Sequence, residues 1–322
     1  MPDIIGFDDA IIETKGEHRA LLVGNGFSAQ YFTYANLLAE SGLEAGKPLR
    51  NLFDALATVD FEKVVRALED AALVERAYDN EPHAEELGTH AQEVREALVR
   101  AVHSTHPAHR DKLAFQYDSN AAFLGNFDTV FSLNYDLLLY WVALERGLFS
   151  DGFGLGERAD SFIGPFSPEG RCSLFNLHGG LHLFDNGEDG VFKALNDGDG
   201  VIATIADTII KRHRLPLYVA EGTSAQKLRK IHSIDYLRRC YQVLQDNRST
   251  MFVYGHSADE NDAHIYRAIF GSGVKRLYFG IFEPNDDKVR LLDGQLAKYQ
   301  KIWGSDTQYS FYDSASAKVW DA

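Results

Sequence analysis

Four short apolar runs, each stopping abruptly at a small polar or glycine-rich tip, constrain this 322-residue chain more than any other feature. The first, Arg19 to Val23, runs into Gly24-Asn25-Gly26-Phe27-Ser28-Ala29. The second, Thr129-Val130-Phe131-Ser132-Leu133, ends in Asn134-Tyr135-Asp136. The third, Leu174-Phe175-Asn176-Leu177, ends in His178-Gly179-Gly180, and the fourth, Met251-Phe252-Val253-Tyr254, in Gly255-His256-Ser257-Ala258-Asp259-Glu260-Asn261. Runs this short and bulky read as buried strands. If they lie parallel in one sheet, all four tips gather along its carboxyl edge, where open α/β sheets bind ligands. Residues 276–282 add a strand, and 309–312 a last one at an edge. The expected fold is α/β: a Rossmann-like parallel sheet with helices on both faces.

The first tip follows the strand, glycine turn and helix grammar G-x-G-x-x-G/A, with Ala29 in the third place and a helix over residues 31–39. Without a Cβ in the way, backbone N–H groups at such a helix start can cradle a pyrophosphate, so Gly24, Asn25, Gly26, Phe27 and Ser28 are candidate binders. An ordinary tight turn would use the same glycines. Glu40 and Glu44 lie near the spacing of a ribose-binding acid. The segment from Gly42 to Lys47 is one residue short of a Walker loop, and Pro48 stands where the magnesium-binding hydroxyl belongs, which excludes that reading. At the third tip, Gly179 and Gly180 clear side-chain bulk from around His178 and let a ligand approach the imidazole. A histidine held by a backbone hydrogen bond at a strand end is the plain alternative. His182, beyond the glycines, suits a packing role. At the fourth tip, Ser257 and Glu260 have capping-box spacing, so Gly255, His256 and Ser257 either start a helix or face the same crevice.

Between the first two runs the pattern changes. Phe61, Val64, Val65 and Leu68, then Leu87, Val94, Leu98 and Val102, fall at helical spacing. Residues 53–119 read as a helical insertion into a domain made of 1–52 and 120–322. His103, His106 and His109 share no helical side and match no zinc spacing, so a solvated loop is expected. Residues 151–170 read as a loop or lid, 185–200 as turns, and the basic stretch 211–239, which includes Lys227 and Lys230, as solvated helix faces. The formal charge of -15 argues against a nucleic-acid surface. Cys172 and Cys240 are isolated and support neither a disulfide framework nor a cysteine-rich zinc site. With no basic leader pattern and no run of about 18 apolar residues, a soluble cytoplasmic protein is expected.

The four tips, in this order, resemble the sirtuin-like superfamily. The resemblance implies that Gly24, Asn25, Gly26 and Ser28 bind the phosphates of NAD, that Asn134 and Asp136 lie beside the nicotinamide ribose, that His178 is the catalytic histidine, and that Gly255 and Ser257 approach the adenosine half. Asp60-Phe61-Glu62 and Glu221-Gly222-Thr223-Ser224 also look like the bacterial branch of that superfamily, which includes anti-phage NAD-degrading effectors. Two features depart from it. Sirtuin deacylases carry a zinc module held by four cysteines, which this chain cannot supply, and a Pro-Asp-Phe-Arg segment after the glycine loop, which it lacks. Both favour simple NAD hydrolysis over protein deacylation.

The chemistry stands beside the resemblance. The nicotinamide of NAD departs neutral, so breaking its glycosidic bond needs no general acid, only stabilisation of an oxocarbenium-like centre and a positioned nucleophile. Asn134 could order a water or the ribose, Asp136 could orient Asn134 or stabilise positive charge, and His178 could accept a proton. No metal is required. The expected activity is an NAD glycohydrolase giving nicotinamide and ADP-ribose, an effector that depletes NAD when a homo-oligomer or an activating partner protein triggers it. The alternatives are a non-catalytic sensor of NAD or an ADP-ribose-like nucleotide, and a zinc-free deacylase or ADP-ribosyl transferase. A serine hydrolase is disfavoured, since no G-x-S-x-G elbow occurs.

Overall fold

The computed structural model describes residues 3–31, 37–107, 109–169, 171–196, 200–219 and 223–321. Its strands, in chain order, are β1 (Ile4–Ile5), β2 (Arg19–Val23), β3 (Thr129–Ser132), β4 (Glu157–Ala159), β5 (Phe162–Gly164), β6 (Leu174–Asn176), β7 (Leu183–Asp185), β8 (Val191–Ala194), β9 (Thr250–Tyr254), β10 (Arg276–Ile281) and β11 (Gln308–Asp313). One sheet has the order β1-β11-β10-β9-β2-β3-β6, and every neighbouring pair in it is parallel. The four strands with polar tips, β9, β2, β3 and β6, are therefore consecutive, and their tips share one edge. The strand expected at an edge, β11, has the two-residue β1 beyond it.

Alternate side chains along each strand enter opposite layers. Leu21 and Val23 join Val130, Phe252 and Tyr278 on one face, while Ala20 and Leu22 join Phe131, Met251 and Val253 on the other. The first face is covered by α1 (Phe7–Glu13), α2 (Pro48–Ala55), α3 (Phe61–Ala77), α4 (Glu81–Thr105), α5 (Tyr117–Leu124), α6 (Leu138–Arg146) and α7 (Val201–Lys211). The second is covered by α8 (Ser224–Ser233), α9 (Asp235–Gln245), α10 (Ala263–Phe270) and α11 (Asp286–Trp303). Burial on both faces is why the central strands β2, β9 and β10 are largely apolar rather than alternating.

Chain order accounts for the division of helices. From β2 the sheet grows through β3 to β6 in one direction, and from β9 through β10 to β11 in the other. Crossovers of one hand then place the two sets of helices on opposite faces. The reversal falls between β2 and β9, the kind of switch point at which such sheets open a crevice. Helices α3 and α4 lie against each other, and Val64, Leu68, Val94 and Leu98 continue the core of the first face. Among the described residues no helix is long and apolar enough to cross a membrane.

Two stretches expected as loop and turns instead contribute strands to a small antiparallel sheet of order β4-β5-β8-β7. Asp160 and Ser161 join β4 to β5 with φ of 50° and 65°. Such a left-handed pair is usually signalled by Asn-Gly or Asp-Gly, so this hairpin carries no turn signature. Its three-residue strands are also too short to show an alternating pattern.

Candidate functional site

The tips of β2 and β9 are pressed together, backbone on backbone. Gly24 N–H donates to Tyr254 O at 2.9 Å and Gly26 N–H to Gly255 O at 2.7 Å. A Cβ on Gly26 would stand 2.6 Å from Gly255 Cα, and one on Gly255, whose φ is +69°, 2.6 Å from the Phe27 nitrogen. The glycines are therefore needed by the fold itself. Phe27 N–H and Ser28 N–H also close a turn, onto Gly24 O and Asn25 O. Phe27 is buried beneath Trp320, and Ser28 is buried against Asn134. Asn25 is left facing the cavity described below. The helix expected over residues 31–39 falls mostly on 32–36, outside the described residues, and Glu40 and Glu44 are exposed.

At the tip of β3, Asn134 Nδ2 donates to Ser28 Oγ at 3.1 Å, which ties it to the neighbouring strand's loop. Its Oδ1 is buried with no hydrogen-bond partner among the described residues. Asp136 is used differently. Its Oδ1 accepts from Leu138 N–H at 2.8 Å, and its charge acts on the buried His106. His106 itself accepts from Leu137 N–H through Nε2 at 3.3 Å and approaches Val102 O with Nδ1 at 3.0 Å. The expectation of a solvated loop therefore fails at His106, which is buried inside the fold while His103 is exposed.

His178, at the tip of β6, is buried and lines a cavity of about 210 Å3 together with Asn25, Tyr135, Val219 and Lys227. Gly255, His256, Ser257 and Asp262 complete its β9 side. Gly179 and Gly180 do not open the imidazole to a ligand. A Cβ on Gly179 would meet Leu217 O at 2.2 Å, and one on Gly180 the His182 ring at 2.7 Å. Gly179 makes room for the segment 217–219 instead, and Gly180 for the His182 ring; the segment pairs with the tip through Gly180 N–H to Leu217 O at 2.7 Å and Val219 N–H to His178 O at 2.8 Å. His182 packs as expected, stacked on Tyr140 with ring centres 4.4 Å apart.

Around His178 stands a cluster that sequence reasoning missed. His178 Nε2 lies 3.2 Å from His264 Nε2, so one ring donates to the other. Asp262 Oδ1 is 3.9 Å from His178 Nε2 and 2.8 Å from Lys227 Nζ. Its Oδ2 faces His256 Nε2 at 3.3 Å. His256 Nδ1 accepts from Ala258 N–H at 2.9 Å, so Nε2 carries the ring proton and donates to Asp262. Both ring nitrogens of His256 are thereby engaged. Ser224 Oγ accepts from His264 N–H at 2.8 Å and lies 3.1 Å from its Nδ1. Of Glu221-Gly222-Thr223-Ser224, the first two lie outside the described residues, and Thr223 caps α8.

Burial pushes the His178 pKa well below its ordinary value, against the opposing pull of Asp262, so the ring is neutral at pH 7. Burial likewise lowers His264 to about 4. Burial would raise Asp262, but the hydrogen bond from His256, the neighbouring imidazoles and Lys227 outweigh it and hold the carboxyl below its ordinary range. The ligand atoms of His178, Asp262 and His264 lie within 4.8 Å of one another and could meet on an ion. Lys227 already brings a cation to the carboxylate of that set.

The same lowering gives a stability prediction. His182 is lowered to about 3, and burial also lowers His106. These two, with His178 and His264, are neutral in the fold and bind protons in the unfolded chain below about pH 6.5. Stability is therefore complete above that pH and falls as the medium is acidified, with a slope approaching about 1.4 kcal/mol per pH unit for each group. Urea midpoints measured between pH 7.5 and 5 should drop steadily. A flat profile would contradict the buried neutral imidazoles.

The capping box expected at Ser257 and Glu260 is not formed. Asp259 takes that part, accepting from Asn261 N–H at 2.8 Å, and Ser257 is exposed on the cavity rim. Larger cavities exist, including one of about 460 Å3 beside Phe162 and Arg212 that borders the small sheet away from the strand tips.

The family described as "Domain of unknown function (DUF4917)" matches residues 21–320. The chain belongs to that family. The match takes in all four tips and the Asp262 cluster of this DUF4917 chain. Among curated proteins none matches it. Among solved structures, a Sir2 homolog–NAD complex matches 94% of this chain and 98% of its own, at 13% identity and a TM-score of 0.37. A likeness that slight carries neither fold nor ligand across.

Proposed function

We propose that this DUF4917 protein is an NAD glycohydrolase, cleaving NAD and water to nicotinamide, ADP-ribose and a proton. The observation that carries this reading is His178: a buried, neutral imidazole at a parallel strand tip, lining a cavity and backed by His264 and Asp262. With His178 Nε2–H donating to His264 Nε2, and His264 Nδ1–H donating in turn to Ser224 Oγ, Nδ1 of His178 is the unprotonated nitrogen that takes a proton from the attacking water or a ribose hydroxyl. The positive charge so formed is stabilised by Asp262. Asn134 does not itself line the cavity but lies between Leu133 and Tyr135, which do, and its buried Oδ1, without a partner among the described residues, is the atom that accepts from the ribose or the water. Asp136 acts one step back, holding the turn that carries Asn134 to the start of α6. At about 210 Å3 the cavity is smaller than the roughly 300–1,000 Å3 of pockets that enclose a whole drug-sized ligand. It suits the nicotinamide ribose, with the rest of the dinucleotide lying across Asn25 and Ser257. The sequence resemblance to sirtuin-like proteins points the same way.

The chain is expected to release nicotinamide from NAD, and Asn134→Ala to slow release by about a hundredfold, as when one preorganised polar contact to a transition state is removed. Chromatography of the reaction reads both. Release undiminished in Asn134→Ala removes that residue from the site. A second reading, a nucleotide sensor, is favoured by the internal pairing of Lys227 with Asp262, which needs no reacting group. Saturable NAD binding in calorimetry with no nicotinamide formed would establish the sensor and overturn the hydrolase.

A further inference from the structure

A second cavity, of about 300 Å3, lies between α3, α4 and the segment 213–217. Three guanidinium groups line it, Arg66, Arg95 and Arg214, in a chain whose formal charge is -15. Arg95 is the informative one, because it is 4% exposed. Its Nη2 donates to Glu69, yet its Nε is buried with no partner among the described residues. Buried charged donors are rarely left unused, and such a group calls for a ligand or an ordered water. The acids lining the cavity are already engaged. Glu62 meets Lys230 Nζ at 2.6 Å, Glu69 takes Arg95, and Asp185 accepts from Gly187 N–H at 3.0 Å. Arg214 donates to the neutral amide of Asn186. Guanidinium forks at such a place match the oxygens of a phosphoryl group.

We propose that this cavity binds a small phosphoryl anion and that its occupancy is felt at the His178 cavity. Two connections join the cavities. Leu217 lines the anion cavity while its carbonyl accepts from Gly180 N–H, and two residues later Val219 lines the other cavity while its N–H donates to His178 O. Asp60 and Glu62, at the start of α3, hold Lys230 of α8, one turn beyond Lys227, whose ammonium meets Asp262. An anion drawing on Arg66 and Arg95 pulls on α3 and α4 and thereby on both connections. The binding site stands on its own. The coupling rests on reading the His178 cavity as the place where NAD reacts.

Pyrophosphate is the probe. Calorimetry on the full chain should show one saturable site, weakened about tenfold or more in Arg66→Ala and in Arg214→Ala, and unchanged in His178→Ala. Both arginines are exposed, so their loss leaves the fold intact. No saturable heat, or binding lost in His178→Ala and kept in the arginine variants, would overturn the site. For the coupling, pyrophosphate should change NAD affinity at least threefold in the parent chain and leave it unchanged in Arg66→Ala. An NAD affinity indifferent to bound pyrophosphate overturns the coupling. If pyrophosphate binds as described and NAD does not bind at all, the anion site is upheld and the NAD reading falls.

Discussion

His178→Ala is expected to lower nicotinamide release from NAD by about 10²–10⁴-fold, the range a positioned general base contributes. The loss should fall on kcat, with NAD affinity measured by calorimetry changed little, because the ring acts on a proton that moves only as the bond to nicotinamide breaks. The fold should survive. β6 is held to β3 through backbone pairing of Phe175 with Phe131 and Asn176 with Ser132, which the substitution leaves untouched. It also removes an imidazole whose lowered pKa penalises the folded state in acid, so the variant should lose less stability than the parent on acidification. A variant that releases nicotinamide at the parental rate would remove His178 from the chemistry. One that loses NAD binding entirely would recast it as a ribose contact.

Asp262→Ala should have the largest effect on stability. The carboxylate is the common partner of Lys227 Nζ at 2.8 Å and His256 Nε2 at 3.3 Å, with side-chain exposures of 11%, 8% and 16% for the lysine, the histidine and Asp262 itself. Removing one member of so enclosed a group strands the others, and about 3–5 kcal/mol of destabilisation is expected. Its sign with pH follows from the lowered carboxyl pKa. The contribution is present above the ordinary range of about 4 and is lost as the pH falls through the folded value, so the gap between parent and variant should be full at pH 7 and narrow towards pH 2. Denaturant titrations at both pH values test this, and a variant as stable as the parent at pH 7 would show that Asp262 is not the hub of the cluster. Activity should fall too, since the charge that steadies protonated His178 is gone.

Much of this is legible in the sequence. Runs ending at Val23, Ser132, Asn176 and Tyr254 announced strands because burial on two faces favours apolar side chains along most of each. The tips were legible because Gly24, Gly26 and Gly255 sit where chains approach too closely for a Cβ. Their purpose was only partly so: a glycine that admits a ligand and one that admits a neighbouring loop look alike in a sequence. The hairpin at Asp160 and Ser161 was invisible, since its left-handed residues are not the usual ones.

His178 stood out in the sequence because it ends a strand, but its partners did not. Lys227 and His264 sit on α8 and α10, where a charged or polar residue reads as a solvated helix face, and Asp262 lies in a run of polar residues that reads as a cap. Local pattern thus determined that a parallel sheet forms, where its strands stop and which histidine stands at an edge. Tertiary structure alone decided that β6 and β9, about seventy residues apart in sequence, flank β3 and β2. That order brings an aspartate, a lysine and a second histidine onto the ring, because a parallel sheet gathers its strand ends in space without regard to their distance along the chain.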